Sequence, residues 1–276
     1  MRERFARLAT RPDHEVDLAE AALLIAAEEY PRLDVQAYLG RIDAMAAAVH
    51  RRVEARDEPE RIVEGINQHL FAEEAFAGNT RDYYDPRNSY LNDVLDRKLG
   101  IPITLAVIYI EVGRRLGLPL DGVSFPGHFL VKYRAAHGEV VLDPFNGGVP
   151  LTPADVLRRL ERIYGASRPP ARRLAQLLSA APRKDVLLRM LRNLKQIHLR
   201  REDFRRALSA ADRIVLLAPQ LAAEVRDRGA IHHRLECFQA ALQDYERYLS
   251  LVPEAPDADP VSRLVARLRR LVARLN

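Results

Sequence analysis

The chain contains no tryptophan, one cysteine and four lysines among its 43 basic residues. A single thiol, Cys237, excludes an internal disulfide framework. The longest apolar run, Ile101–Ile110, has ten residues, where a membrane-spanning helix needs about 20. That excludes an integral helical membrane protein. Met1 to Glu20 carries mixed charge and no apolar stretch of the secretory kind, so a cytoplasmic location is expected. Phosphate loops of the GxxxxGK[ST] or GxGxxG type are absent, and no Cys/His spacing suits zinc. His232 and His233 are sequence neighbours and point to different faces of a helix, so they are not a chelating pair. No cofactor and no metal is expected.

What remains is an ordinary globular mixture, with 48% hydrophobic and 29% charged residues over 276 positions. The near-exclusive use of arginine is read as a genomic bias rather than as phosphate recognition. Charge is unevenly placed: residues 1–165 carry a net −5 and residues 166–276 a net +10. This asymmetry coincides with a change in texture. It sets the expected organisation: a first domain at 1–165, a linker at 166–182 rich in proline, and a second domain at 183–276.

Helical patterns open the chain at Val16 to Tyr30, after the cap Asp34, and near Glu60 to Phe76, where Ile62, Ile66, Leu70 and Phe71 share a face. A polar, turn-forming stretch follows, Gly78 to Tyr90. Asn88 or Ser89 is expected to cap a helix from Tyr90 to Lys98 that Gly100 ends. Pro102 suits a helix's first turn, and a very apolar helix runs from there to about Leu116. Beyond Gly117-Leu118-Pro119 the period falls towards two, predicting strands at Leu120–Ser124, His128–Tyr133 and Glu139–Leu142. Asp143 to Gly148 reads as a turn, and Pro153 to Tyr164 as a helix.

The last third repeats itself. Ala207-Leu208 recurs as Ala241-Leu242, Leu217 as Leu251 and Pro219 as Pro253, each at a spacing of 34. That is the period of the tetratricopeptide repeat, a helix–turn–helix unit. Two repeats are expected, Arg183–Pro219 and Gln220–Pro253, followed by a capping helix from Asp259 to Leu275. Gly229 falls where that pattern prefers glycine in the first helix; the first repeat has Lys195 there instead.

A buried helix, a strand led by His128 and a strand ending in Asp143-Pro144 follow in an order that resembles the transglutaminase-like cysteine-protease core. In that core a Cys at a helix head is the nucleophile, His the base and Asp its orienter. Here the nucleophile position is Pro102, which has neither a thiol nor a backbone N–H. Thr104 is the nearest hydroxyl. Cys237 lies 135 residues further on.

A more specific resemblance rests on Asp82-Tyr83-Tyr84-Asp85-Pro86-Arg87-Asn88-Ser89-Tyr90, Leu99-Gly100-Ile101-Pro102-Ile103-Thr104, Gly117-Leu118-Pro119, Pro126-Gly127-His128-Phe129 and Leu142-Asp143-Pro144-Phe145-Asn146-Gly147-Gly148. These resemble the bacterial SirB-type invasion-regulator family. The resemblance implies an α+β, mainly helical protein: a transglutaminase-like core with a small antiparallel sheet, then C-terminal tetratricopeptide helices. Gly-Ile-Pro at the nucleophile position is a feature of that family.

The leading expectation is a non-catalytic interaction or regulatory protein, built on a degenerate core, whose repeats bind a protein partner. The alternative is a hydrolase or amide-transferring enzyme that uses His128 and Asp143 with water or a non-Cys nucleophile. Catalytic remnants are therefore His128, Asp143, Pro102 and Thr104, and pocket candidates are Tyr84, Asp85, Arg87 and Asn88. From Arg168 to Arg206 there are twelve basic residues against three acidic ones. A solvated helix face and linker is the simpler reading of this run, and binding an acidic partner is the alternative. Phe204 is its one aromatic, so base stacking is unsupported and specific nucleic-acid binding is not expected.

Overall fold

The computed structural model describes residues 1–53, 58–165 and 171–275. The chain forms two compact units: one is Arg11–Met190, and the other combines Arg2–Thr10 with Leu191–Asn276. The change of unit falls inside a single helix, Arg183–Arg200. The fold is mainly helical with small sheets, as the sequence pattern predicts.

Helix α1 (Arg2–Ala9) belongs to the second unit. The first unit begins with α2 (Leu18–Glu29), capped by Asp17, whose carboxylate accepts from the Glu20 amide at 2.8 Å. Leu18 to Ala27 is almost wholly buried, so this helix lies inside the unit. Asp34 caps α3 (Val35–His50) through the amides of Gln36 and Ala37. The third predicted helix is interrupted. It runs as α4 (Pro59–Asn67) and then widens into a π-helical turn, Gln68–Glu73, in which the Glu74 amide reaches the His69 carbonyl at 2.9 Å. The widening starts where Asn67 is held from outside: its amide donates to the Gly148 carbonyl at 3.2 Å and accepts from the Tyr109 hydroxyl at 2.8 Å.

A short parallel pair follows, β1 (Ala77–Gly78) beside β2 (Leu99–Gly100). Between them lies α5 (Leu91–Arg97). Its cap differs from expectation. Tyr90 occupies that position with no side-chain capping bond, and the Asn88 amide is turned back to the Asp82 carbonyl at 2.7 Å. The helix ends at Lys98, in the left-handed conformation at φ 60°, before Gly100 is reached. The apolar helix α6 (Pro102–Arg115) is buried from Pro102 to Gly113. Its Glu111 is 1% exposed and held by Arg114 and Arg115.

The antiparallel sheet has four strands in sequential order: β3 (Asp121–Val123), β4 (Leu130–Ala135), β5 (Gly138–Asp143) and β6 (Val149–Leu151). The second begins two residues later than predicted. Gly127 turns at φ 64° and the His128 amide closes on the Phe125 carbonyl at 3.1 Å, so His128 stands in the turn before the strand. Asp143 to Gly148 is part of the sheet's return: a 3₁₀ turn, Pro144–Asn146, leads into β6, which the sequence pattern missed. Helices α7 (Pro153–Tyr164) and α8 (Ala171–Leu177) pack Val156, Leu160, Leu174 and Leu177 against Val123, Phe125, Leu130 and Val141 of the sheet. Residues 166–170 of the expected linker lie outside the described residues.

After α9 (Arg183–Arg200), whose residues from Leu191 on belong to the second unit, α10 (Phe204–Leu217), α11 (Ala222–Arg234), α12 (Phe238–Leu251) and α13 (Ala258–Leu275) follow. Both ends of α10 and α12 are offset by 34 residues, and so are the left-handed turn residues Glu202 and Glu236. At Gly229 an added Cβ would lie 3.1 Å from the Asp244 Cβ, so glycine lets α11 and α12 approach. Lys195, at the matching position of the first repeat, is 2% exposed and bonded to Glu224 at 2.6 Å and Asp227 at 2.7 Å.

Two glycines separate backbone need from backbone cost. Gly148 sits at φ 73°, and a Cβ there would lie 1.9 Å from the Asn67 side-chain oxygen. Gly40, inside α3, has nothing within 4 Å of such a Cβ. Gly148→Ala should lower unfolding free energy by roughly 1–3 kcal/mol, and Gly40→Ala should raise it by about 0.5–1 kcal/mol. Urea midpoints at unchanged slope are the measurement.

Candidate functional site

Asp143 ends β5 with its carboxylate fully buried. A buried carboxylate needs donors, and four are supplied. Oδ1 accepts from His128 Nε2 at 2.8 Å and from the Phe145 amide at 3.2 Å. Oδ2 accepts from Asn146 Nδ2 at 2.6 Å and from the Arg159 guanidinium of α7. Burial pushes the carboxyl up, but the His128 bond and charge, the Asn146 bond and the Arg159 charge outweigh it and hold it below the usual carboxylate range.

His128 is positioned from two sides. Its ring is bonded to Asp143 and stands edge-on to Phe145, with centroids 5.7 Å apart. Its backbone carbonyl accepts from Arg189 at 2.8 Å. The same guanidinium donates to Ser124 Oγ at 2.8 Å and the Phe125 carbonyl at 3.0 Å, and lies over the Phe129 ring at 5.5 Å. Burial lowers its pKa from the ordinary arginine value. Arg189 thus clamps the Ser124–His128 turn. Sequence reasoning placed it in a basic surface run, and missed both it and Arg159. No local pattern marks either, because the partners lie 61 and 16 residues away. Arg183, Arg192 and Lys195 of that run are likewise spent on bonds inside their own units.

With Nε2 facing a carboxylate, that nitrogen carries the proton. Nδ1 is then the ring position left for proton exchange. The His128 side chain is 15% exposed.

The head of α6 is built differently from a nucleophile site. Pro102 is buried at the first helical position. Thr104 is fully buried; its hydroxyl donates to the Asn88 carbonyl at 2.8 Å and accepts from the Ile101 amide at 3.1 Å. Phe145 links this end of the helix to His128. Its ring lies so close to Gly78 that an added Cβ there would fall 2.5 Å from it, and Gly78 pairs with Gly100, two residues before Pro102. Cys237 is exposed in the second unit, at the start of α12.

The polar stretch before α5 is a self-bonded loop. Asp85 is bonded by the Arg87 side chain at 2.9 Å, with Arg97 3.4 Å away; these outweigh the effect of burial and hold its carboxyl low. Asn88 is fully buried and also accepts from Asn79 at 3.1 Å. Tyr84 is 56% exposed and stacks edge-on with Tyr83. Among the described residues no group of three or more His, Cys, Asp or Glu is arranged to hold a metal ion. No helix among them is long and apolar enough to cross a membrane.

The family model of the transglutaminase-like superfamily matches residues 36–192. The chain belongs to that superfamily. A tetratricopeptide-repeat model matches residues 194–266. A UPF0162 protein of Xylella fastidiosa is 44% identical over 254 residues, covering 92% of this chain and 90% of that one. Protein SirB1 of Salmonella typhimurium is 27% identical over 248 residues, covering 88% of each. The human F-box only protein 21 is 33% identical over 141 residues, which is 48% of this chain and 21% of its own. The transglutaminase-like match contains Pro102, His128, Asp143, Arg159 and Arg189 together. The SirB-type architecture expected from the motifs, a transglutaminase-like core followed by tetratricopeptide repeats, is the one these matches give.

Two measurements follow from this core. Pro102→Cys places a thiol at a buried position, so iodoacetamide should label it slowly in the folded protein and rapidly after denaturation; mass spectrometry of the labelled peptide reads both rates. Asp143→Asn removes a buried charge that His128 and Arg159 depend on, and should cost about 3 kcal/mol near neutral pH. Because the folded carboxyl is held low, its contribution is complete above the unfolded value of about 3.9 and is lost as pH falls through the folded value. Unfolding stability of the variant should therefore depend less steeply on acid than that of the parent below about pH 5.

Proposed function

We propose that this is a non-catalytic interaction or regulatory protein that uses a transglutaminase-like core as a scaffold and its tetratricopeptide helices to engage a protein partner. The closed head of α6 carries this reading. Pro102 supplies no nucleophile and is buried, and the Thr104 hydroxyl is spent on the Asn88 carbonyl and the Ile101 amide. The His128–Asp143 pair has a structural task sufficient to keep it: it joins the turn before β4 to the end of β5, with Arg159 and Asn146 completing the carboxylate's shell. Helical repeats serve protein recognition in general, and the repeat match at residues 194–266 supports this reading.

A second reading is favoured by one observation. His128 is partly exposed and oriented by a carboxylate, as in a general base. In that reading His128 would activate water for hydrolysis of an amide or ester, with Asp143 as its orienter.

The two readings part in one comparison of the full-length protein with His128→Gln. The scaffold reading expects no His128-dependent turnover of p-nitrophenyl acetate or of a glutamine-containing peptide, and unchanged capture of the same partner from the native extract. A saturable rate lost by about a hundredfold in the variant would overturn it.

A further inference from the structure

In the basic run expected to meet an acidic partner, Arg183, Arg189, Arg192 and Lys195 are bonded within their own units. Uncommitted charge gathers instead on α13. That helix has one acid, Asp259, in its first turn, and its other charged residues are all arginine. Arg263, Arg267, Arg270 and Arg274 follow at intervals of four, three and four residues, so they stand on one face. At about 1.5 Å per residue this stripe is about 16 Å long.

Three observations give the stripe its character. All four arginines are exposed, and none forms an ion pair or hydrogen bond with another described residue, Asp259 included. Arg269, which lies off the stripe, is by contrast paired with Glu246 at 2.6 Å. The opposite side of the helix is already occupied. Val261, Val265 and Leu268 are buried in one core with Leu242, Tyr245 and Tyr248 of α12, which holds the stripe in place. Beside the stripe the exposed residues are small, Ser262, Ala266 and Ala273, so the backbone of a partner element can come close.

These features select among anionic partners. A helix that lies on a membrane buries an apolar face in it, and that face of α13 is already in the protein core. Single-stranded nucleic acid is held on aromatic platforms, and α13 has no aromatic residue. Carboxylates, in contrast, match the fork of a guanidinium. Asp and Glu placed three and four residues apart on one face of a helix repeat with the same pitch as the arginines. We propose that α13 is the docking face for an acidic helix of a protein partner, with its carboxylates on the arginine stripe and its backbone above the small residues. The inference rests on the reading of this chain as an interaction protein, and names the charge of the partner segment and the helix that receives it.

The test is fluorescence anisotropy with the full-length protein. The probe is a labelled alanine-based helical peptide carrying glutamates at the intervals of the arginines; the comparisons are its glutamine counterpart, a random-sequence DNA duplex and phosphatidylserine vesicles. The glutamate peptide should bind saturably and more weakly as salt is raised, and the glutamine peptide should not bind. Arg267→Gln combined with Arg270→Gln removes two central charges at exposed positions and should weaken binding about tenfold, with helix content by circular dichroism unchanged. Arg81→Gln combined with Arg134→Gln takes the same charge from exposed positions of the first unit and should leave binding as it was. The proposal is overturned if the glutamate peptide fails to bind, if the glutamine peptide binds as well, or if the α13 variant binds like the parent. Stripe-dependent binding of the duplex or the vesicles that is tighter than that of the peptide would overturn the choice of a protein segment. The α13 variant keeps His128 and Asp143, so its outcome is separate from the turnover comparison. A partner captured from the native extract equally well by parent and α13 variant overturns the stripe and leaves the interaction reading standing.

Discussion

A carboxylate without access to water has to be surrounded by donors, and Asp143 sets that demand at the centre of the first unit. Three separate pieces of chain answer it: the turn holding His128, the 3₁₀ turn through the Phe145 amide and the Asn146 side chain, and helix α7 through Arg159. Each bond fixes the direction of an element as well as the charge. The end of β5, the 3₁₀ turn after it and the start of β4 are consequently held in one arrangement. Arg189 completes it by donating to the Phe125 and His128 carbonyls of the turn.

The same demand links site to scaffold. In a cysteine enzyme of this superfamily's type, a His–Asp pair serves a thiol. Here the head of α6 carries the buried Pro102 and a threonine whose hydroxyl donates to the Asn88 carbonyl. Phe145 stands edge-on to His128 and lies close against Gly78. The arrangement is complete as a structural network, which is why the interaction reading needs no missing group.

The second unit solves a different problem. No repeat can bury its apolar face alone, so stacking neighbours must share one core. Where the second repeat uses Gly229 to bring two helices close, the first keeps Lys195 and neutralises it with Glu224 and Asp227. The repeat is therefore regular in backbone and irregular in how each interface is filled. Elsewhere in the unit Arg228 binds Asp244 and Asp212 across successive helices, so buried charge is paired between elements rather than along them.

The sequence by itself determined what depends on local pattern. The 34-residue period marked the repeat that α10 and α12 follow, Asp34 marked the start of α3, and the ordered motifs around His128 and Asp143 named the family. These are signals carried by neighbours along the chain. The tertiary structure alone decided what depends on partners far apart. Asn88 bonds back into its own loop instead of capping α5, the helix widens just after Asn67, whose side chain is bonded to the Gly148 carbonyl and the Tyr109 hydroxyl, and Arg159 and Arg189 join the His128 cluster from helices that show no local sign of it. A buried donor or acceptor acquires or lacks a partner only once the chain has folded around it.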